Sequence, residues 1–481
     1  FEAYFDRNIM SIDAYDWANR VGPSGTRPYL YEGIFAHEYQ HLLHDDYDSD
    51  EENFVNEGLA DYAMVLTGFG ASVTGHLGDT AKYPENSLVV WEDQGGLEVL
   101  ADYGQAFLFQ LYMKEKFGLD FIKQEFLNPE NGITGINTTL QMFNIQKTFA
   151  DLYHDYSVAG LLDNIKWKGG LYGFKLVNFK FDIGTPDAPN PEAYSTPGAP
   201  PWGTDYIWLN TANAKKITKL VFNGLEYTVK PTAWTSDGET LWSGNGDLID
   251  NWAIFPATGG GTLTFDTQYD IEEYWDFGFV QVSTDGGYTW TSLSNAYTIS
   301  DYDPSAHPKV IENLPGLTGV SKDDVVSEGE DPNAMEWITM SFDLSGYAGQ
   351  DIMIAFRMVT DWATSYDNWY IDNVYVDDVL ISDGSDASVF MDITDLLPIN
   401  NDFTVTFVGM NPKAKGGATY QVLTLHMGNQ IEEENGIQSL KALLSAYKKA
   451  VMLVTYDAAE GITDYADYTY EIIYKTNGPT K

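Results

Sequence analysis

The spacing of apolar residues changes along the chain, and this change constrains the fold more than any other feature. Up to about residue 168, apolar residues recur every three to four positions, as in ENFVNEGLADYAMVLTGFG, which predicts helices. A stretch rich in proline and small residues follows at 183–204. Beyond it, short alternating runs such as GTLTFDTQYDI predict antiparallel strands separated by turns. No single regular architecture can therefore describe the whole chain.

These patterns predict a multidomain α+β protein, because 481 residues exceed what one ordinary core holds. A mainly helical domain comes first, and antiparallel β-sandwich domains follow. We expect the strands on both sides of a jelly roll to form one sandwich into which it is inserted. We also expect a strand in NIMSIDAYDW and a helix in GIQSLKALLSAYKKAVM. The predicted domains are a helical domain at 1–168, a linker with the first strands of a β-sandwich at 169–231, the jelly-roll domain at 232–385 and a C-terminal β-sandwich segment at 386–481.

The charge of the chain excludes several classes of partner. It contains 26 lysines and arginines against 71 aspartates and glutamates, a formal net charge of −45. Such a chain repels phosphate backbones and anionic lipid, which excludes nucleic-acid binding and electrostatic docking to membranes. No apolar run is long enough to predict a membrane span. Cysteine is absent, which removes disulfides, thiolate metal sites and thiol nucleophiles. The acidity itself fits either calcium-binding loops or a solubilising surface.

A histidine-rich segment carries the strongest chemical motif. His37 and His41 belong to HEYQH, and on a helix residues four apart share a face. Both imidazoles can then bind one zinc ion, with Glu38 beside the open coordination position. Zinc needs a third protein ligand, and Glu57 in NEGLADYA lies on the next predicted helix. Asp61, one turn later, can accept the second ring N–H of a ligand histidine. The alternative is that these are polar surface residues on two amphipathic helices.

The two segments HEYQHLLH and NEGLADYA together resemble the gluzincin group of zinc metallopeptidases. The resemblance is to secreted bacterial enzymes of the immune inhibitor A-like and hyicolysin-like kind. The segment ADYGQAFLF, which follows the predicted ligand helix, also fits the sequences of those enzymes. Typical immune inhibitor A sequences have a Gly- and Asp-bearing turn directly after HExxH. This chain lacks that turn, which favours the pattern with a glutamate ligand.

The resemblance implies a zincin, that is a thermolysin-like, catalytic domain in residues 1–168. His37, His41 and Glu57 would bind one zinc ion, Glu38 would act as the general base, and Asp61 would support a histidine. Only 36 residues precede His37, whereas gluzincin sites use a β-sheet built before the HExxH helix. We therefore expect the catalytic domain to lack its N-terminal sheet here, with a cleaved N-terminal fragment as a candidate partner.

Three further residues of the helical part are candidates for either a catalytic or a structural role. The tetrahedral oxyanion of peptide hydrolysis needs a donor, and Tyr103 and His154 are the downstream candidates. Tyr103 is explained equally well as a packed aromatic, and for His154 a plain surface histidine is the better explanation. His44 points to a neighbouring face of the HExxH helix, so it is predicted to be structural or solvent-exposed.

Acidic residues suggest calcium in two places. Segments 269–293 and 342–376 resemble the jelly-roll modules of immune inhibitor A-like peptidases, which are related to MAM domains. The resemblance implies calcium binding by Glu272, Asp276 and Asp372. The loop GNGDLIDN, with Asp247 and Asp250, is a further candidate, and the alternative is that all these acids cap turns and edges. In DDYDSDEE, the alternation of Asp46, Asp48 and Asp50 is that of a calcium loop, but a solvated acidic turn is the better explanation because the rest of an EF-hand is missing.

The sequence thus favours a secreted zinc endopeptidase that acts on protein or peptide substrates, with accessory β-sandwich domains. The alternative is an extracellular surface-layer, filament or adhesion protein whose peptidase domain is ancillary or silent. Glu38 argues against it, since a silent enzyme has no chemical need for the base. A third hypothesis, a glycan-binding module protein, leaves HEYQH unexplained.

Overall fold

The computed structural model describes residues 10, 12, 14–48, 51–70, 73–91, 99–189, 198–322, 335–361, 364–428, 430–431 and 434–475. The predicted strand at 8–17 lies partly outside these residues, and Asp50 lies outside them entirely.

The chain forms two compact units. Unit 1 consists of Phe1–Glu226 and Asn401–Lys481, and unit 2 is the continuous segment Tyr227–Asn400. One large hydrophobic cluster lies in unit 1, and three clusters lie in unit 2. The protein is therefore a mixed α+β protein whose second unit is inserted into the sequence of the first.

Most of the described helices lie in the N-terminal part of unit 1. None of them combines the length and apolar character that crossing a membrane requires. In chain order they are α1 Trp17–Arg20, α2 Leu30–Asp45, α3 Asn53–Leu66, α4 Val73–Thr80, α5 Val99–Phe117, α6 Leu119–Phe126, α7 Gly132–Met142, α8 Phe149–Leu162, α9 Pro308–Asn313, α10 Ile393–Leu396 and α11 Glu434–Ala446.

Helix α3 organises the N-terminal part because one of its faces is buried. Phe54, Val55 and Leu59 recur at helical spacing and belong to the hydrophobic cluster of unit 1. Helix α3 contacts both α2 and α5. Gly58 lets α5 approach closely, since a Cβ there would lie 2.8 Å from the carbonyl oxygen of Ala106. This packing brings the HEYQH face of α2 against the NEGLADYA face of α3.

The described strands are antiparallel and begin after the helical part. They are β1 Gly184–Thr185, β2 Ala188–Pro189, β3 Thr204–Leu209, β4 Ile217–Gly224, β5 Tyr227–Thr228, β6 Thr235–Ser236, β7 Leu241–Trp242, β8 Asp250–Thr258, β9 Thr262–Ile271, β10 Phe277–Ser283, β11 Thr291–Ser292, β12 Gly319–Val320, β13 Ile338–Asp343, β14 Asp351–Val359, β15 Asn368–Val376, β16 Val379–Ser382, β17 Ile399–Asn400, β18 Phe403–Pro412, β19 Tyr420–Gly428, β20 Gln430–Ile431, β21 Tyr447–Tyr456 and β22 Tyr468–Tyr474.

In unit 1, strands from before and after the inserted segment pair with one another. One sheet has the order β19-β18-β21-β3, and a second has the order β20-β4-β22. Helix α11 contacts both sheets, and α8 contacts β18. Buried residues of the helices and of the strands belong to the same hydrophobic cluster, so the predicted boundary at residue 168 lies inside one core.

Unit 2 is a β-sandwich, as its alternating runs predict. A four-stranded sheet, β11-β10-β14-β8, faces a seven-stranded sheet in which β12-β9-β15-β7-β6 form the main path. Alternate residues of both sheets fill the core between them. The rings of Phe265 and Phe356 meet there at 4.9 Å. Trp369 is fully buried, and its Nε1 donates to Oγ1 of Thr267 at 2.8 Å.

Candidate metal centre

Three side chains of unit 1 converge on one point between α2 and α3. His37 and His41 lie one turn apart on α2, and Glu57 lies on α3. Nε2 of His37 is 3.0 Å from Oε2 of Glu57 and 3.1 Å from Nε2 of His41. Nε2 of His41 is 3.4 Å from the same Oε2. The three atoms therefore form a nearly equilateral triangle of two nitrogens and one oxygen.

The triangle has the dimensions of a zinc site. Oε2 of Glu57 is buried and faces the Nε2 atoms of both histidines. Ligand atoms about 2.0–2.1 Å from a tetrahedral zinc ion lie about 3.3 Å from one another, close to the observed spacing. Two imidazoles and one carboxylate are a usual donor set for a catalytic zinc ion with one open position. The residues present thus fit the ion that the sequence predicts.

The outer ring nitrogens of both histidines are held by α3. Nδ1 of His37 lies 3.1 Å from Oδ1 of the fully buried Asp61. Nδ1 of His41 lies 2.9 Å from Oδ1 of Asn56. Both contacts let Nδ1 donate its proton to α3, so that Nε2 of each ring faces Glu57. Asn56 is not predicted by the sequence analysis, although its place directly before Glu57 is the feature that could have indicated it.

The electrostatics of the metal-free cluster are those of a site that holds a positive charge. Burial by itself would lower the pKa of His37, but hydrogen bonds to Asp61 and Glu57 outweigh it and raise the pKa to about 9. Burial would raise the pKa of Glu57, but hydrogen bonds from His37 and His41 lower it to about 2. The carboxylate therefore stays ionised, and a metal ion can replace the protons of the imidazoles.

Glu38 neighbours His37 in sequence, and Tyr103 neighbours it in space. Glu38 directly follows His37 on α2 and is half-buried. The ring of Tyr103, on α5, lies 6.1 Å from that of His37. Tyr103 also packs edge-on against Trp91 at 5.0 Å, so it is a packed aromatic and a neighbour of the site at once.

A third histidine joins the site and is missed by the sequence analysis. His76 lies on α4, and its Nδ1 is 2.7 Å from Oδ2 of Asp61. Its ring is 5.3 Å from that of Tyr103. Asp61 therefore holds His37 with one oxygen and His76 with the other. No spacing rule links α4 to HEYQH, so only the packing of the helices reveals the role of His76.

His154 lies where α8 meets the strands of unit 1 and is not at the surface. It is only 8% exposed, so the prediction of a surface histidine is wrong. Its Nε2 lies 2.8 Å from Oδ1 of Asp457, and its ring lies near Trp202. Asp457 also accepts a hydrogen bond from Thr404. The imidazole is thus engaged where α8 meets the strands of unit 1, which gives no support to an oxyanion role.

In unit 2, three carboxylates form a candidate calcium site. Glu272, Asp276 and Asp361 each place one oxygen within 4.8 Å of the others. Asp276 is fully buried, and its Oδ1 accepts the backbone N–H of Asp361 at 2.7 Å. Its Oδ2 has no hydrogen-bond partner among the described residues, and burial raises its pKa to about 8. Hard oxygen ligands of this kind suit calcium.

The structure does not bring Asp372 to this group. Asp372 lies on β15 opposite Asp266 of β9, where Nδ2 of Asn373 donates to both carboxylates at 3.0 and 3.1 Å. Asp361 takes the place that the resemblance gave to Asp372, and it lies just after β14. Of the two acids of the GNGDLIDN loop, Asp250 forms a paired salt bridge with Arg357 at 2.7 and 2.9 Å, and Asp247 accepts a hydrogen bond from Ser365.

Comparisons with known proteins bear on unit 2. Residues 209–392 match the family model described as "Immune inhibitor A-like, MAM domain". This match supports the accessory domain. It does not extend to α2 or α3. No curated protein matches the chain. Among solved structures, the K2 cleaved adhesin domain of Lys-gingipain is 18% identical, with a TM-score of 0.17, and the match covers 35% of this chain and 93% of that one.

Proposed function

We propose that the chain is a secreted zinc endopeptidase that hydrolyses protein or peptide substrates. The observation that carries this proposal is the convergence of His37, His41 and Glu57, with Glu38 next to the first ligand. The immune inhibitor A-like MAM match supports it, because that domain is associated with extracellular peptidases.

The chain's own groups supply the proton transfers of the reaction. His37, His41 and Glu57 would hold a zinc ion, which would lower the pKa of a water molecule and polarise a scissile carbonyl. Glu38 accepts a proton from the attacking water and delivers it to the leaving amine, so no proton is gained or lost overall. Asp61 and Asn56 keep the imidazoles in the tautomer that presents Nε2 inward.

His76 is the best-placed donor for the oxyanion that forms as water adds to the carbonyl. Its Nδ1 lies 2.7 Å from Oδ2 of Asp61, which fixes the ring and the direction in which Nε2 points. The ring of Tyr103 lies 6.1 Å from that of His37 and 5.3 Å from that of His76, so it neighbours both histidines. Asp61 therefore positions one histidine for the metal and another for the substrate.

We also propose that Glu272, Asp276 and Asp361 bind a calcium ion with a structural role in unit 2. The support is the buried, unpartnered Oδ2 of Asp276 among two further carboxylates. Ionising all three carboxylates this close together would make them repel one another, and a divalent cation would offset that repulsion.

The peptidase proposal is tested by measuring zinc content and casein cleavage side by side. Glu38→Gln should keep the zinc and lose about 10²–10⁴-fold in kcat, because only proton transfer is removed. His41→Ala should lose both zinc and cleavage. Tyr39→Phe, at an exposed position of the same helix, is the matched control and should change neither. The proposal would be contradicted if Glu38→Gln cleaved casein as fast as the wild type. It would also be contradicted if the wild type bound zinc but did not cleave casein.

A further inference from the structure

A second polar cluster lies where α2 ends and α3 begins. His44 is in the last turn of α2, Asp48 follows the helix, and Glu51 precedes α3. One ring nitrogen of His44 and one oxygen from each carboxylate lie within 4.8 Å of one another. The three residues are 1%, 7% and 9% exposed. The sequence predicts a solvated acidic turn here, but Asp48 is buried, so that prediction is wrong for this residue.

The imidazole of His44 presents one nitrogen to this cluster. Its Nδ1 lies 3.3 Å from Oδ1 of Asn56, and its ring stacks on Phe126 at 4.6 Å. Its Nε2 is buried and has no hydrogen-bond partner in the part of the chain that the structure describes. Leaving a buried ring nitrogen unpartnered costs free energy, so the native protein is expected to satisfy it.

The carboxylate of Glu51 is held in a fixed orientation by backbone donors. Oε1 of Glu51 accepts the backbone N–H groups of Glu52 and Gly132, both at 2.7 Å, which fixes the direction of the carboxylate. Burial disfavours the ionised forms of Glu51 and the nearby Glu125 and raises the pKa of both to about 8, so ionising them would place negative charge in a buried site. Among the described residues, neither pairs with a lysine or arginine. A divalent cation would offset this charge.

We propose that His44, Asp48 and Glu51 bind a second zinc ion, separate from the one assigned to His37, His41 and Glu57. An imidazole together with two carboxylates suits zinc better than calcium, which prefers oxygen ligands alone. Asn56 connects the two sites, because its Oδ1 faces Nδ1 of both His41 and His44. The second ion would fix the end of α2 against the start of α3. These two helices also carry the ligands of the first zinc ion.

The experiment counts zinc in the full chain after chelator treatment, reloading with zinc alone and desalting. The wild type should hold about two ions per chain, and His44→Gln and Glu51→Gln about one each. His41→Ala should also hold about one, and the double variant His41→Ala/Glu51→Gln none. Asp46→Asn, an exposed acid of the same turn, is the control and should keep two. One ion in the wild type, or two in Glu51→Gln, would overturn the proposal.

Thermal unfolding gives a second readout that does not depend on peptidase activity. In the His41→Ala background, zinc should still raise the unfolding midpoint, and adding Glu51→Gln should abolish the rise. Failure of the peptidase proposal would appear as an inactive wild type with two ions. Failure of the second site would appear as a His41→Ala chain whose midpoint does not respond to zinc.

Discussion

At the scale of residues, Asp61 contacts both the proposed zinc ligand His37 and the proposed oxyanion donor His76. It is fully buried, yet hydrogen bonds to His37 and His76 lower its pKa against the opposing effect of burial. It therefore remains an anion between two imidazoles. One ring faces the candidate metal position and the other faces Tyr103. The same carboxylate can thus affect metal binding and transition-state stabilisation, and the two effects can be separated by changing His76 alone.

His76→Gln tests the oxyanion role of that residue. We expect kcat to fall by about 10²–10³-fold with KM little changed, because the donor acts on charge that develops only in the transition state. Zinc content should stay that of the wild type, since His76 is not a ligand. Steady-state kinetics on a peptide substrate, together with metal analysis, provide the measurement. An unchanged kcat would remove His76 from the mechanism, and a loss of zinc would assign it to the metal.

The sequence analysis could predict the residues of this site whose relation is local. His37 and His41 are linked by one helical turn, and so are Glu57 and Asp61. The structure brings all four together. His76 could not be found in this way, because its place depends on how α4 packs. Asp361 belongs to the calcium group for the same kind of reason, since it comes from a strand distant in sequence from Glu272 and Asp276.

At the scale of elements, α8 shows how a buried helix is started. Thr148 is its N-cap, and its Oγ1 accepts the backbone N–H of Asp151 at 3.3 Å. Oδ2 of Asp151 accepts the backbone N–H of Thr148 at 2.9 Å in return. This capping box satisfies two donors that would otherwise lack partners. The helix behind it supplies buried residues such as Phe149 and Leu152 to the core of unit 1.

Thr148→Ala should therefore destabilise unit 1 by about 1 kcal/mol, the usual cost of an N-cap that loses its side-chain acceptor. Thr148→Ser keeps an acceptor and serves as the control, with a loss of only a few tenths of a kcal/mol. Guanidinium unfolding with zinc held constant measures both variants. If serine cost as much as alanine, the loss would come from the threonine methyl group and not from the cap.

Elements near the C-terminus show where local patterns stop being informative. GIQSLKALLSAYKKAVM predicts one helix, but α11 ends at Ala446 and β21 begins at Tyr447. Residues 447–456 pair with β18 on one side and, in part, with β3 on the other. The partner strand β3 lies before the inserted unit, so its pairing with Val454 and neighbouring residues cannot be inferred from local periodicity. Long-range pairing overrides the helical pattern here.

At the scale of the whole molecule, each unit has its own core and its own candidate ion sites. The zinc candidates lie in unit 1, and the calcium candidate lies in unit 2. Because ligands that bind only the folded state stabilise it, the stability of the two units should respond to different ions. The calcium response of unit 2 should therefore vary with pH through Asp276, because burial favours the protonated form of its side chain.

Burial raises the pKa of Asp276 from its ordinary 3.8 to about 8. Between these values the native state keeps a proton that the unfolded chain has lost, so without calcium the free energy of unfolding should fall as pH rises. Calcium binds the ionised form, so its stabilising effect should grow over the same range. It should reach about 2.7 kcal/mol when free calcium is about a hundred times its Kd.

Unfolding of the full chain at about pH 5 and about pH 8, with and without calcium and with zinc held constant, measures this effect. Asp276→Asn should remove the calcium response and flatten the pH dependence of unit 2, because the side chain can no longer ionise. Asp372→Asn is the matched control, since the structure places Asp372 beside Asp266, and it should keep the full calcium response. A calcium response that survives in Asp276→Asn, or that shrinks as pH rises, would show that the ion binds elsewhere.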